Sequence, residues 1–141
     1  MASDFFMVDK NMVRVFGAEG AVFLTAIMDH IQSEHIYRSM EVDRSKDPFY
    51  VGVFYDLGSG KAIWPRVIPG GYVRFLQTDI TRVTMLSSNK QVNFVKKYKA
   101  AGFLSVYRKF SPPAYYYKVD EDGLASFVKK EIQRMEKGRV R

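Results

Sequence analysis

Two asparagines and three lysines between residues 89 and 97 recur at spacings that gather them on one side of an α-helix. At roughly 100° per residue they cover an arc of about 120°; they are Asn89, Lys90, Asn93, Lys96 and Lys97. An asparagine amide can pair with adenine through two hydrogen bonds, and a lysine can reach guanine acceptors or phosphates. The arc therefore has side chains suited to contacting double-stranded DNA, and an ordinary solvated helix face is the alternative interpretation.

Apolar residues on the opposite side of this segment predict that it packs as an amphipathic helix. They are Phe94, Val95, Tyr98 and Ala101. The run Ser88-Asn-Lys-Gln91 has the form of a capping box, in which both end side chains satisfy exposed backbone donors. Gly102 is a typical residue to end a helix. The pattern predicts a helix over residues 88–101.

A shorter helix and a turn are predicted immediately before this helix. Thr78 or Asp79 can cap the short helix, and Ile80 and Val83 lie three residues apart on its inner side. The turn is expected at residues 85–88. Two helices joined by a short turn form a helix-turn-helix unit, whose second helix enters the major groove of DNA.

A two-stranded hairpin is predicted directly after the second helix. Residues 103–107 and 114–119 have the composition of strands, and Ser111-Pro-Pro113 forms the bend between them. The hairpin should bring further positive charge beside the helix, from Arg108, Lys109 and Lys118.

The hairpin also contains Tyr115, Tyr116 and Tyr117, which could stack on bases. Because side chains alternate along a strand, we expect burial of either Tyr116 or its two neighbours. At least part of this cluster is therefore expected in the core.

A long helix is predicted at the start of the chain, beginning near Ala18 or Glu19 and ending between His35 and Met40. Its buried stripe consists of Leu24, Ile27, Met28 and Ile31. At the other end of the chain, Asp122 is expected to cap a helix over about residues 122–137. One face of that helix carries Leu124, Phe127, Val128 and Met135.

The middle of the chain, residues 41–76, predicts a polar loop followed by short strands. Residues 41–47 are polar, 49–55 are β-branched and aromatic, and 62–64 can return as a hairpin partner after the Gly58-Ser-Gly60 turn. Prolines and glycines then interrupt regular structure until a short strand at 72–76.

The stretch from Thr78 to Val119 resembles a winged-helix domain. It is most similar to the N-terminal domains of phage replisome organisers and related primosome-loading proteins. The runs that carry the resemblance are Leu86-Ser-Ser-Asn-Lys-Gln91, Ala101-Gly-Phe-Leu104 and Pro113-Ala-Tyr-Tyr-Tyr-Lys-Val119. The segment 42–71 is long for a minimal winged helix, and the second, helical domain of full-length organisers is absent.

The resemblance implies a recognition helix at 88–101 and a wing at 103–119. It implies double-stranded DNA as the partner, in phage or plasmid replication initiation, and the same scaffold also serves transcription regulators. Phosphate contacts would then fall to Lys96, Lys97, Arg108, Lys109 and Lys118.

The composition is that of one globular domain over residues 1–141. Its excess of positive charge favours a polyanionic partner. The formal net charge is +7, with 22 Lys and Arg against 15 Asp and Glu, and basic proteins gain affinity for nucleic acid through counterion release. There are no cysteines, no signal-peptide pattern and no uninterrupted apolar run of membrane-spanning length. A cytoplasmic location without membrane association is therefore expected.

Two sequence features that could indicate chemistry are interpreted structurally. Gly58-Ser-Gly-Lys61 lacks the preceding glycine and the following Ser or Thr of a phosphate-binding loop. His30 and Glu34 have metal-binding spacing but too few partners for a closed site. No nucleophile with an adjacent base is evident. We expect no enzyme activity, no cofactor and no metal.

The combined prediction is an α+β winged helix-turn-helix protein with a C-terminal two-stranded wing and an extra β-hairpin after the first helix. The alternative function is a winged-helix protein–protein interaction module within a replication or other nucleoprotein assembly. A homodimer through the amphipathic first and last helices, and contacts with replication or transcription proteins, are further expectations.

Overall fold

The fold is α+β, with four helices and a four-stranded antiparallel sheet in the part of the chain that the structure describes. The computed structural model describes residues 6–40, 54–55, 62–63, 67–68, 70–110 and 113–138. In chain order the elements are α1 (Lys10–Met40), β1 (Phe54–Tyr55), β2 (Ala62–Ile63), β3 (Val67–Ile68), β4 (Tyr72–Arg74), α2 (Gln77–Thr84), α3 (Ser88–Ala101), β5 (Leu104–Phe110), β6 (Pro113–Val119) and α4 (Glu121–Lys137).

Helix α1 is bent at Gly17, whose φ of 80° is accessible to glycine without strain. From Ala18 onward it matches the predicted first helix, and Phe23, Leu24 and Ile27 are fully buried. The preceding turns from Lys10 were not predicted, because the bend breaks the apolar periodicity that identifies a continuous helix.

The stretch Lys10–Glu34 of α1 is long and apolar enough to cross a membrane by length and composition, since it contains an 18-residue window with a mean hydropathy of 1.3. The core helix of a globular protein passes the same test. Here Phe23, Leu24 and Ile27 pack in a cluster with residues of α2, α3 and the sheet. The stretch therefore forms part of the protein core, and its hydropathy does not assign the protein to a membrane.

The four-stranded sheet has the order β3-β4-β6-β5, and all neighbouring strands are antiparallel. Strands β1 and β2 form a separate pair, with Phe54 opposite Ile63, as expected for the inserted hairpin. Strand β3 was not predicted, since it lies between prolines. The predicted loop 41–47, most of the strand 49–55 and the turn 58–60 lie outside the described residues.

At Tyr116 and Tyr117 both faces of the sheet are covered, and both side chains are buried. Tyr117 belongs to the helical core cluster, whereas Tyr116 packs with Ile68 and Ala114 on the other face. The expectation that part of the tyrosine cluster lies in the core is confirmed. The expected alternation, with either Tyr116 or its two neighbours buried, was wrong because it assumed a sheet with one solvent-exposed face.

Helix α4 is capped by Asp120 rather than by Asp122 as predicted. The Asp120 carboxylate accepts a hydrogen bond from the Gly123 amide at 3.0 Å, and Glu121 is the first helical residue. The Asp120 amide in turn donates to the Phe103 carbonyl at 2.9 Å. Asp120 therefore joins the start of α4 to the start of the hairpin.

Replacing Asp120 by alanine is expected to lower the free energy of unfolding by about 1 kcal/mol, because an exposed helix donor loses its acceptor. Urea denaturation followed by circular dichroism measures this difference. The matched control is Asp122→Ala, which removes the same charge from the same turn without removing the cap. Equal losses in the two variants would show that the charge near the helix start matters and the cap does not.

Candidate nucleic-acid interface

Helices α2 and α3 are joined by a turn of three residues, Met85, Leu86 and Ser87. Met85 adopts the left-handed conformation with φ 65°, and its amide donates to the Thr81 carbonyl at 2.7 Å. Leu86 then inserts into the core, with 4% of its surface exposed. The turn therefore reverses the chain sharply and anchors it by one apolar side chain.

The inner face of α2 differs from the prediction. Ile80 is buried as expected, but Val83 is 46% exposed. The partly buried residues of α2 are Gln77, Asp79, Thr81 and Thr84. The predicted caps were also wrong. The helix follows Leu76, which makes no side-chain capping bond, and Asp79 instead pairs with Arg82 at 2.8 Å.

Gln91 holds α2 and α3 together from a fully buried position on α3. Its side-chain nitrogen lies 3.2 Å from the Gln77 carbonyl, 2.9 Å from the Thr81 hydroxyl and 3.1 Å from the Leu86 carbonyl. Because both carbonyls can only accept, they determine the orientation of the amide. Gln91 thus donates to two residues of α2 and to one residue of the turn, and so constrains the angle between α2 and α3.

The predicted capping box at Ser88–Gln91 was therefore wrong in both of its members. Ser87 is the N-cap of α3, and its hydroxyl accepts from the Lys90 amide at 3.3 Å. Ser88 is the first helical residue, and Gln91 points inward instead of back to the helix start. The helix nevertheless spans residues 88–101 and ends at Gly102 in the left-handed conformation, as predicted.

Aromatic side chains anchor the inner face of α3. Tyr98 is 2% exposed and contacts Phe16 and Phe103 with ring centroids 5.1 and 5.4 Å apart. Its hydroxyl lies against Gly20 of α1 and has no hydrogen-bond partner within the described structure. Burial raises the pKa of Tyr98, because the phenolate would lose its hydration. The core-facing stripe predicted from Phe94, Val95, Tyr98 and Ala101 is confirmed.

The outer face of α3 is polar and basic. Asn89, Asn93, Lys96 and Lys97 are all exposed. The helix contains four lysines and no acidic residue, the lysines being Lys90, Lys96, Lys97 and Lys99. Lys99 was not selected from the sequence, because its projection falls outside the predicted arc.

Lys90 differs from the other lysines of α3, because its ammonium donates to the Glu19 carboxylate of α1 at 2.7 Å. Both side chains are half-exposed, so this ion pair stabilises the fold by at most about 1 kcal/mol. It draws the Lys90 side chain toward α1.

The structure divides the predicted cations of the hairpin between its two faces. Arg108 is opposite Tyr115 in the register, and its guanidinium lies 5.2 Å from the centre of that ring, on the face that carries the helical core. Lys118 is opposite Ser105 on the other face, 5.9 Å from the Tyr72 ring. The side chain of Lys109 lies outside the described residues.

The His30 imidazole is engaged structurally. Its Nε2 donates to the Arg74 carbonyl at 2.8 Å, and its ring stacks on Phe75 with centroids 4.0 Å apart. The described ranges contain no group of three acidic or histidine side chains placed to share a metal ion.

The candidate interface therefore consists of Asn89, Asn93, Lys96 and Lys97 on α3, with Arg108 on the helical side of the hairpin. Comparisons of this chain with known protein families, curated proteins and solved structures found no match.

Proposed function

We propose that this chain is a winged-helix protein that binds double-stranded DNA and places α3 in the major groove. The observation that carries the proposal is the division of α3 into two faces. Its inner face is held by Gln91 and Tyr98, and its outer face exposes amides and ammonium groups with no carboxylate among them. Such a face attracts phosphates and offers donors and acceptors to base edges.

The order of elements supports the winged-helix part of the proposal. Strand β4 precedes the two helices α2 and α3, and it pairs with β6, the second strand of the following hairpin. A three-residue turn between α2 and α3 fits a helix-turn-helix unit. The hairpin β5–β6 then follows α3 directly and is in the position of a wing.

Different side chains have different roles in the proposed complex. Asn89 and Asn93 lie in the first two turns of α3, the part of a recognition helix that meets base edges. Lys96 and Lys97 contact phosphates, and Arg108 does so from the hairpin. Lys118 lies on the opposite face of the hairpin and is not part of the same surface.

The biological setting follows from the sequence resemblance, and we propose DNA replication initiation or transcription regulation without catalysis. Helices α1 and α4, the predicted surfaces of a homodimer, pack against each other within the chain. A dimer would therefore use only the faces that these helices leave open. One such face is a groove of about 440 Å³ lined by Met12, Met28, Leu124, Val128 and Ile132 among others.

Fluorescence anisotropy of a labelled random duplex, titrated with the protein across a salt series, tests the proposal. Affinity should fall steeply with salt, because each neutralised phosphate releases a condensed counterion. The variant Lys96→Ala/Lys97→Ala should bind more weakly at low salt. The slope of log affinity against log salt should also decrease by about two, roughly one for each lost phosphate contact.

The matched control is Lys129→Ala/Lys130→Ala, which removes two exposed lysines from α4 and should leave the slope unchanged. On the hairpin, Arg108→Ala should lower the slope by about one, whereas Lys118→Ala should not change it. Equal losses of DNA affinity in the α3 and α4 double variants would show that DNA is attracted to the positive charge of the protein as a whole and not to the surface of α3. No binding by a folded sample at about 50 mM salt would contradict the proposal and favour the protein-interaction module.

A further inference from the structure

Four exposed side chains form a continuous strip along the outside of α3. Asn89, Val92, Asn93 and Lys96 follow the i, i+3, i+4, i+7 spacing, so that Asn89 and Lys96 each lie beside both Val92 and Asn93 on the helix surface. Three of them are polar. Val92 flanks Asn89 on the side away from Asn93 and is 37% exposed.

Val92 is not one of the residues that hold α3 to the core. Those residues are Gln91, Phe94, Val95 and Tyr98, and all four are more buried than Val92. A β-branched residue also lowers helix propensity relative to alanine. In a helix, however, valine strongly prefers one rotamer, so its two methyl groups have defined positions before any partner binds.

Asparagine and valine together match the major-groove edge of an A·T base pair. Asparagine pairs with adenine through N6 and N7, and the apolar group on that edge is the 5-methyl of thymine, which aliphatic side chains contact. G·C pairs present no methyl group there. A strip of Asn, Val and Asn is therefore complementary to neighbouring A·T pairs.

We propose that Val92 is a specificity-determining residue that contacts thymine 5-methyl groups while Asn89 and Asn93 pair with adjacent adenines. Helix α3 then selects A·T base pairs at the centre of its site. This inference rests on the proposed function, since it assumes that α3 enters the major groove. It adds the identity of the bases read there and the group that reads them.

Selection of bound duplexes from a random library first identifies the preferred site, which should contain A·T pairs. Each thymine in that site is then replaced in turn by uracil, which lacks only the 5-methyl group. Wild-type protein should bind the uracil duplex about fourfold more weakly at a contacted position, the ratio expected for one buried methyl-sized group. The variant Val92→Ala should bind the two duplexes equally.

The matched control is Val83→Ala, which truncates another exposed valine, on α2, that lies outside the strip. It should retain the wild-type preference for thymine over uracil. Equal loss in wild type and Val92→Ala, or no effect of uracil at any position, would overturn the inference. Salt-dependent binding without sequence preference would also overturn it and leave the proposed function intact. Failure to bind any duplex would overturn both.

Discussion

The variant Gln91→Glu is expected to lose about 3–5 kcal/mol of folding free energy at neutral pH, the range for a buried charge without a compensating partner. The substitution keeps the size of the side chain but replaces its donor by a carboxylate. That carboxylate would face the Gln77 and Leu86 carbonyl oxygens, which lie 3.2 and 3.1 Å from the amide nitrogen. Neither carbonyl can donate to it, so the contacts change from attractive to repulsive.

The loss should depend on pH in a direction that identifies its cause. Burial disfavours the ionised form and raises the pKa of the introduced carboxyl above its unfolded value. The neutral acid is then favoured in the folded state, so the variant regains stability relative to wild type as the pH falls, and loses it as the pH rises. Thermal unfolding of both proteins at several pH values measures the difference.

Two control variants separate the effect of the buried charge on stability from the effect of the lost hydrogen bonds. Gln91→Met removes the donor without adding charge and should lose about 1–3 kcal/mol. The Gln77 and Leu86 carbonyls lose the donor from Gln91, while the Leu86 carbonyl still accepts from the Thr81 hydroxyl at 2.8 Å. Asn93→Asp makes the same amide-to-acid change on the exposed face of α3 and should change stability by no more than about 0.5 kcal/mol. A loss in Gln91→Glu similar to that in Asn93→Asp would show that Gln91 does not hold the two helices together.

The second large effect is expected at the crossing of α1 and α3. Gly20→Ala should lose about 1–3 kcal/mol by overpacking, even though alanine favours the helix over glycine by up to about 1 kcal/mol. The added methyl would meet the Tyr98 hydroxyl, the Phe16 Cβ at 3.2 Å and the Phe94 ring at 3.3 Å. Urea denaturation measures the loss.

The variant Tyr98→Phe should be as stable as wild type or more stable, because it removes a buried hydroxyl that has no hydrogen-bond partner in the described structure. It also clears the space that the new methyl needs. The double variant Gly20→Ala/Tyr98→Phe should therefore lose less than Gly20→Ala alone. Additive effects would contradict the close contact between Gly20 and the hydroxyl.

Tyr98→Phe should also reduce the alkaline sensitivity of the fold. Burial raises the pKa of Tyr98 above the ordinary value of 10.0, so that the neutral phenol is favoured in the folded state. Below pH 10 this preference makes its full contribution to the free energy of unfolding. The contribution is lost as the pH rises above 10, because Tyr98 then ionises readily only in the unfolded chain. The variant should lose less stability than wild type above that pH, while Tyr117, whose pKa is also raised by burial, remains in both.

Local pattern was sufficient to predict α3, its two faces and the hairpin that follows. The end of the helix at 101 follows from Gly102, which adopts a conformation that other residues rarely reach. Its start at 88 was predicted from a capping box that the structure does not form, since Ser87 is the N-cap. The positions of Asn89, Asn93, Lys96 and Lys97 on the exposed side follow from helical periodicity. These features depend on residues near in sequence, and neighbouring elements did not alter them.

Features that depend on contacts between elements were decided only by the tertiary structure. Gln91 has the right spacing for a capping box, but it lies on the side of α3 that meets α2. There its buried side chain makes two contacts with α2 and one with the turn in place of one local bond. Tyr116 is buried because the second face of the sheet is also covered. Arg108 and Lys118 lie apart because strand register assigns them to opposite faces. Composition and periodicity determined which side chains α3 exposes, whereas packing between elements determined the inward position of Gln91 and the faces on which Arg108 and Lys118 lie.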